Sequence, residues 1–416
     1  MKRLNEKTLK VGDIILTTTA AAVSKAIRVA TRSDISHAMV YVEDRSVIDA
    51  TSEGVQARNT QRLLFEDDCK IYALRLRDGI STDQLRAVCM FVRSKIGTQY
   101  ATKEAVRTVV GGAREWTRKQ FCSRLVAQAF EAAGVRLVDN PNFCAPADLK
   151  SSPLLVEVEN PAVLMPEQEL AVWEGRADVP QMMRNAINAV FDGARRKSSD
   201  IQTFDDLHIY LATHPEDDGY FCELLESSGY LTVWQAEQWK NPWQYDLELM
   251  SRAPADEIES YCQSVLANEA AGPNRYVINL GGYRRFARQY GLRFFALLEA
   301  LYRHLARSHR TRVDTAALWL ENHRLLQPVP DIVLLPHSRE WFAALDAWSP
   351  AQALTTREVI EATGSNECCS YCGAIPAKDY RLNMRFRPFG CVDTIRLCDD
   401  CVTQEQSFGE QYERMN

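Results

Sequence analysis

His37 and Cys122 are the two residues whose types and surroundings point to chemistry. A neutral thiol attacks poorly near pH 7, so cysteine catalysis needs a positive local field and a nearby proton acceptor. From Cys122 onward, apolar residues recur at helical spacing and Gly134 closes the run, which predicts that Cys122 lies in the first turn of a helix. The unpaired N–H groups at a helix N-terminus carry partial positive charge, which favours a thiolate. His37, on a predicted strand, is the expected base.

The order of the segments around this pair separates a catalytic interpretation from a structural one. A lone buried cysteine is usually an inert apolar residue, and a lone histidine usually lies at the surface. Here segments 11–17, 24–27 and 33–37 lead to the histidine strand, and segments 47–50, 54–55 and 97–100 precede 121–126. This order resembles the NlpC-like papain-fold cysteine hydrolases of the circularly permuted YiiX type, in which the histidine strand precedes the cysteine helix. The resemblance covers about residues 8–150.

The resemblance implies a role for four residues. Cys122 would be the nucleophile, His37 the general base and Asp49 the group that orients the imidazole. Tyr100 would line the substrate pocket. Two alternatives stay open, because Asp49 could instead cap the turn at 51–54 and Tyr100 could be an ordinary core residue. Backbone N–H groups at the start of the cysteine helix would hold the oxyanion.

A second group of cysteines near the C-terminus has the spacing of a metal site. Two Cys-x-x-Cys pairs are separated by 25 residues, and their members are Cys369, Cys372, Cys398 and Cys401. Four thiolates enclose zinc tetrahedrally and leave no open position, so the expected cofactor is one structural Zn²⁺ per chain. Cys368 and Cys391 are alternative ligands. A segment this short needs the metal for its stability.

Composition limits the class of protein. The chain has 416 residues, 46% of them hydrophobic and 25% charged, and a net charge of -6, which is typical of a soluble protein of two or three domains. No run of about eighteen apolar residues predicts a membrane span, and the N-terminal residues lack the apolar core of a signal peptide. We therefore expect a cytoplasmic protein.

The chain is expected to fold as an α+β protein in three parts. Residues 1–175 would form the permuted NlpC-like domain with an antiparallel sheet, residues 176–362 a mostly helical domain, and residues 363–416 a small zinc-ribbon-like module. Arginines are concentrated between positions 275 and 312. They form either a solvated face or a surface for an acidic protein or a phosphate backbone. The zinc module is a further candidate surface for a protein partner.

The expected reaction is cleavage of a peptide or isopeptide amide through a thioester on Cys122. Candidate substrates are a peptide, a modified protein or a peptidoglycan fragment, with the helical and zinc modules selecting among them. Two alternatives remain: a catalytically idle scaffold that binds partners, and a thiol acyltransferase or lipid ester hydrolase. A fold resemblance alone does not choose between them.

Overall fold

The computed structural model describes residues 1–18, 35–42, 45–101, 119–165, 178–326 and 329–415. The 24–27 segment of the family-like series lies outside these ranges. The chain divides into two compact units, one formed by Met1–His214 and Ser227–Val233 and the other by Pro215–Glu226 and Trp234–Asn416. The three-domain division stays a prediction. None of the described helices is both long enough and apolar enough to cross a bilayer.

The first unit contains a six-stranded sheet in which every neighbouring pair is antiparallel, in the order β5-β4-β3-β2-β6-β7. The strands are β2 Ile14–Thr17, β3 His37–Val42, β4 Ser46–Thr51, β5 Gly54–Asn59, β6 Ile71–Leu76 and β7 Leu155–Val158. A separate pair joins β1 Lys2–Leu4 to β8 Ala162–Leu164. The predicted antiparallel sheet is thus confirmed.

Within the described ranges, five helices accompany this sheet: α1 Thr82–Ser94, α2 Cys122–Ala132, α3 Pro146–Lys150, α4 Val179–Lys197 and α5 Phe204–Thr213. Helix α1 begins at a capping box in which Ser81 and Gln84 bond each other's backbone. Helix α2 buries Leu125, Val126 and Phe130 in a core shared with β3 and β4, as its helical spacing predicted. The prediction of a cysteine-bearing helix beside the sheet is confirmed.

The second unit is mostly helical. Its helices are α6 Asp218–Ser227, α7 Trp234–Lys240, α8 Leu247–Met250, α9 Ala255–Ala270, α10 Arg275–Tyr290, α11 Arg293–Asn322, α12 Arg339–Trp348, α13 Pro350–Thr363 and α14 Asp399–Ser407, with short 3-10 helices at Pro215–Asp217 and Pro242–Gln244. Near its C-terminus, β9 Lys378–Leu382 lies between β10 Thr394–Leu397 and β11 Tyr412–Arg414. The Cys369/Cys372 pair lies in the turn region between α13 and β9, and the Cys398/Cys401 pair lies at the start of α14, directly after β10.

The cysteine-bearing segment packs against α12 and α13 of the same unit. The indole N–H of Trp341 donates to the carbonyl of Thr394 at 2.9 Å, and the Thr356 hydroxyl donates to the carbonyl of Ser370 at 3.2 Å. The His337 Nε2 and Ser370 Oγ atoms are 2.7 Å apart. Residue 370 lies inside the first Cys-x-x-Cys pair, so helical residues directly support the turn that presents those thiols.

Arginines of α10 and α11 are occupied within the fold. Arg303 is 5% exposed and bonds Glu299 at 2.7 Å, while Arg284 bonds Glu405 of α14 at 2.8 Å. Arg307 donates to the carbonyl of Phe408 at 2.6 Å. These contacts join the long helix to the C-terminal segment. The cluster of arginines in the sequence therefore does not form a free basic face at these positions.

Candidate active site and metal centre

Cys122 is the first residue of α2, and the residues around it fix the start of that helix. Phe121 has extended backbone angles of φ -135° and ψ 163° and offers no side-chain acceptor to the first turn. Buried Arg124 donates to the carbonyls of Asn142 and Lys119 at 2.7 and 2.9 Å, and its guanidinium lies 4.4 Å from the Phe121 ring. The Cys122 thiol thus lies at the positive end of a firmly held helix.

His37 connects this thiol to a carboxylate. It begins β3, and Asp49 lies on β4, where it pairs with Met39. The His37 Nε2 and Asp49 Oδ2 atoms are 2.8 Å apart, and the imidazole also makes a side-chain hydrogen bond with Cys122. The three predicted side chains therefore form one row. Because Nε2 faces the carboxylate, Nδ1 is the ring nitrogen left to face sulfur.

The surroundings of His37 favour its charged form. Burial is the largest single influence on its pKa and acts to lower it. The hydrogen bonds to Asp49 and Cys122, together with the negative charges of those groups, outweigh burial and raise the pKa of His37 to about 10. An imidazolium beside sulfur is the arrangement in which a thiolate is stabilised by an ion pair.

Arg58 is a member of this cluster that the sequence pattern did not predict. Its Nε donates to Asp49 Oδ1 at 3.2 Å, so the Asp49 carboxylate is held on both sides, and that side chain is only 2% exposed. The pairing of β4 with β5 could have indicated this contact. Gln56 pairs with Asp49, and strand alternation puts residue 58 on the same face of the sheet as residue 56. The capping alternative for Asp49 is less consistent with this geometry, since its carboxylate bonds His37 and Arg58.

Tyr100 lies close to the same charges. Its segment is tied to β5, because Val55 donates to the Thr98 carbonyl and Gly97 donates to the Val55 carbonyl, both at 2.9 Å. Gly97 has φ +91°, and a Cβ there would lie 2.2 Å from the Phe191 ring, so this turn requires glycine. Burial, followed by the charges of Cys122 and Asp49, raises the pKa of Tyr100 far above its usual value. Its phenol therefore stays a neutral donor beside the site.

The C-terminal cysteines converge as a metal site requires. The sulfurs of Cys369, Cys372, Cys398 and Cys401 all lie within 4.8 Å of one another. Cys372 Sγ is 3.6 Å from Cys398 Sγ and 3.6 Å from Cys401 Sγ. A tetrahedral site with Zn–S bonds of 2.3 Å needs sulfurs about 3.8 Å apart. The donor set and spacing fit a structural zinc ion with four thiolate ligands.

The two alternative ligands lie outside this group. Among the described residues, the metal-competent cluster includes neither Cys368 nor Cys391. Cys391 instead lines a separate cavity of about 150 Å³, and burial raises the pKa of its thiol to about 12.

Comparison with known proteins identifies the first part of the chain. Residues 8–153 match the family model described as "Permuted papain-like amidase enzyme, YaeF/YiiX, C92 family". One curated relative, "Probable lipoprotein peptidase YaeF" of Escherichia coli (strain K12), is 31% identical over 78 residues, or 19% of this chain. The chain spans 28% of the length of that relative. A crystal structure of metalloprotein yiiX from Escherichia coli O157:H7 is 21% identical, with a TM-score of 0.30, and the match covers 36% of this chain and 97% of that one.

The resemblance predicted over about residues 8–150 is therefore confirmed, and this part of the chain is a permuted papain-like domain. The family description supports a hydrolase at the level of the family. The catalytic and binding roles remain predictions for Cys122, His37, Asp49 and Tyr100. The structure adds the contacts and burial of their side chains to these predictions.

Proposed function

We propose that this protein is a cysteine hydrolase that cleaves a peptide or isopeptide amide through a thioester on Cys122. The observation that carries the proposal is the row in which Cys122 hydrogen-bonds His37 and His37 hydrogen-bonds Asp49 at 2.8 Å. A nucleophile, a base and an orienting carboxylate in one row are the parts that acyl transfer needs.

In the first half-reaction the Cys122 thiolate attacks the amide carbonyl carbon. The negative oxygen of the tetrahedral intermediate accepts a hydrogen bond from the Cys122 backbone N–H, which has no acceptor among the described residues. The C–N bond then breaks, and the His37 imidazolium gives its proton to the leaving amine. A thioester between Cys122 and the acyl group remains.

In the second half-reaction water replaces the amine. Neutral His37 accepts a proton from water, whose oxygen attacks the thioester carbonyl. Collapse of this intermediate releases the carboxylic acid and returns the Cys122 thiolate beside the His37 imidazolium. Asp49 holds the ring with Nε2 turned away from sulfur, and Arg58 holds Asp49 in place. In this proposal Tyr100 is the neutral polar group that contacts substrate.

The zinc site has a structural role in this proposal. Four thiolates would complete the coordination of a bound zinc ion and would leave substrate no position to enter. The metal would join the start of α14 to the Cys369–Cys372 turn, which contacts His337 and the α13 residue Thr356 through Ser370. We also propose that the helical and zinc modules select the substrate and bind partners. The arginines that are already bonded inside the fold are poor candidates for contacts with a partner.

Alkylation of the intact protein tests the nucleophile. Iodoacetamide at neutral pH, followed by peptide mass spectrometry, should modify Cys122 before the other buried thiols, and His37→Ala should slow that modification at least about tenfold. Cys89→Ala is the matched control, because Cys89 is a buried cysteine of the same core. The proposal is wrong if Cys122 is unreactive in the folded protein while other core cysteines react.

A further inference from the structure

An exposed aliphatic segment in the second unit is not explained by catalysis or by metal binding. It comprises residues 329–335, which we call the aliphatic segment, and it has no regular secondary structure. Ile332, Val333 and Leu335 are 49%, 50% and 58% exposed. Three large aliphatic side chains within four positions form a more concentrated apolar patch than scattered surface residues do.

The aliphatic segment is held in place although its side chains are exposed. Asp331 is bonded by both terminal nitrogens of Arg381, and the carbonyl of Leu334 accepts a hydrogen bond from the Thr394 hydroxyl. The Leu334 side chain packs beside Trp341. A segment fixed at both Asp331 and Leu334 loses little further conformational entropy when a partner binds.

The backbone between Asp331 and Leu334 is available for hydrogen bonding. Within the described part of the chain, the N–H and C=O groups of Ile332 and Val333 make no hydrogen bond. An extended peptide can pair with such groups as an added strand, gaining affinity from main-chain hydrogen bonds and specificity from alternate side chains. Prolines at 330 and 336 limit the pairing to the residues between them.

A groove beside the aliphatic segment indicates the charge of the peptide. It has a volume of about 420 Å³ and is lined by apolar Leu326, Val329 and Phe386. The Arg324 guanidinium lies on its wall with no side-chain partner among the described residues, whereas Arg385 on the same wall is bonded to Glu321. An uncompensated cation next to apolar surface is complementary to an acidic residue.

We propose that the aliphatic segment docks an extended peptide of a partner protein, with aliphatic residues at alternate positions and an acidic residue that reaches Arg324. The peptide adds as a strand along Ile332 and Val333. Its aliphatic side chains cover Val333 and Leu335, which lie two positions apart, and enter the groove. This surface is separate from Cys122 and does not depend on the proposed hydrolase activity.

The probe is a fluorescent, end-capped heptapeptide with a terminal glutamate followed by alternating valine and threonine. We expect it to bind the full-length protein, and we expect Val333→Asp and Arg324→Glu each to weaken binding at least about tenfold. Leu354→Asp is the control, because Leu354 is 44% exposed elsewhere and the substitution adds the same charge. A peptide with lysine in place of glutamate should recover binding to Arg324→Glu.

A second peptide tests the backbone pairing without altering the protein. N-methylation at alternate residues removes the N–H groups of one peptide edge and should abolish binding. Equal affinity of the methylated peptide, or equal affinity of Val333→Asp and Leu354→Asp, overturns the proposal. Concentration-dependent dimerisation that Val333→Asp abolishes, measured by sedimentation, would assign the surface to a second copy of this chain and would also overturn it.

Discussion

Replacement of Asp49 by asparagine tests most directly the charge state of the row formed by Cys122, His37 and Asp49. The carboxylate is the first of the influences that raise the pKa of His37 to about 10, from an ordinary value of 6.5. That elevation corresponds to a preference for the charged ring of the order of 5 kcal/mol. Asp49→Asn keeps the shape of the side chain but removes its charge and its charged hydrogen bond.

The expected change follows from the strength of that bond. A hydrogen bond to a charged group contributes about 1.5–3 kcal/mol, which equals about one to two pH units. The pKa of His37 should therefore fall from about 10 to roughly 8–9 in Asp49→Asn, since the bond to Cys122 still favours the charged ring. Burial lowers the pKa of His37, and in Asp49→Asn fewer interactions counteract it. The pKa of His37 should therefore fall.

The measurement is a ¹⁵N NMR titration of the intact protein with labelled histidine, with the His37 signal assigned by its loss in His37→Gln. His208 is an internal reference, because burial lowers its pKa to about 4 independently of Asp49. Arg58→Met is the matched control of opposite sign: it removes a cation near the ring and keeps the carboxylate, so the pKa of His37 should not fall. A wild-type pKa near 6.5, or an unchanged value in Asp49→Asn, would show that Asp49 does not hold His37 in its charged form.

Four further outcomes are expected. Hydrolysis of any amide substrate found for the protein should fall at least about 10³-fold in Cys122→Ala, since the covalent route is lost, and retained turnover would contradict that role. Because the pKa of His37 is raised on folding, its contribution to the free energy of unfolding should be complete below about pH 6.5 and lost as the pH rises through about 10. Urea titrations at several pH values measure this change. Constant stability across that range would contradict the prediction. Elemental analysis should find one zinc per chain, lost in Cys372→Ala and kept in Cys391→Ala, whereas the reverse result would change the ligand assignment. Arg303→Met should lower the stability of the second unit by about 1.5–3 kcal/mol in thermal unfolding, because half-buried Glu299 and buried Glu405 lose a charged donor, and an unchanged transition would contradict that contribution.

The arginines show where residue types alone mislead. In the sequence, residues 275–312 carry many arginines and one acidic residue near the centre, Glu299, so a free basic face was a reasonable expectation. Their partners are far along the chain: Glu405 bonds Arg284 and Arg303, and Glu410 bonds Arg310. Charge compensation across about a hundred positions depends on helix packing, which local composition does not encode.

Local sequence patterns determined the secondary-structure elements and the residue types that form the candidate sites. Helical spacing from position 122, the apolar run that follows position 37 and the Cys-x-x-Cys pairs each depend on neighbouring residues, so they predicted the candidate nucleophile helix, the candidate base strand and the four candidate metal ligands. The family resemblance added Asp49 and Tyr100.

Tertiary structure decided which of these residues meet and in what electrostatic state. The His37 bond to Asp49, the second hold on that carboxylate by Arg58 and the exclusion of Cys368 and Cys391 from the thiol cluster all require atoms from separate elements at hydrogen-bond or ligand distance. The raised pKa of His37 is likewise a balance between burial and two partners. Distances and burial come from the packing of distant elements, and for that reason only the folded chain determines them.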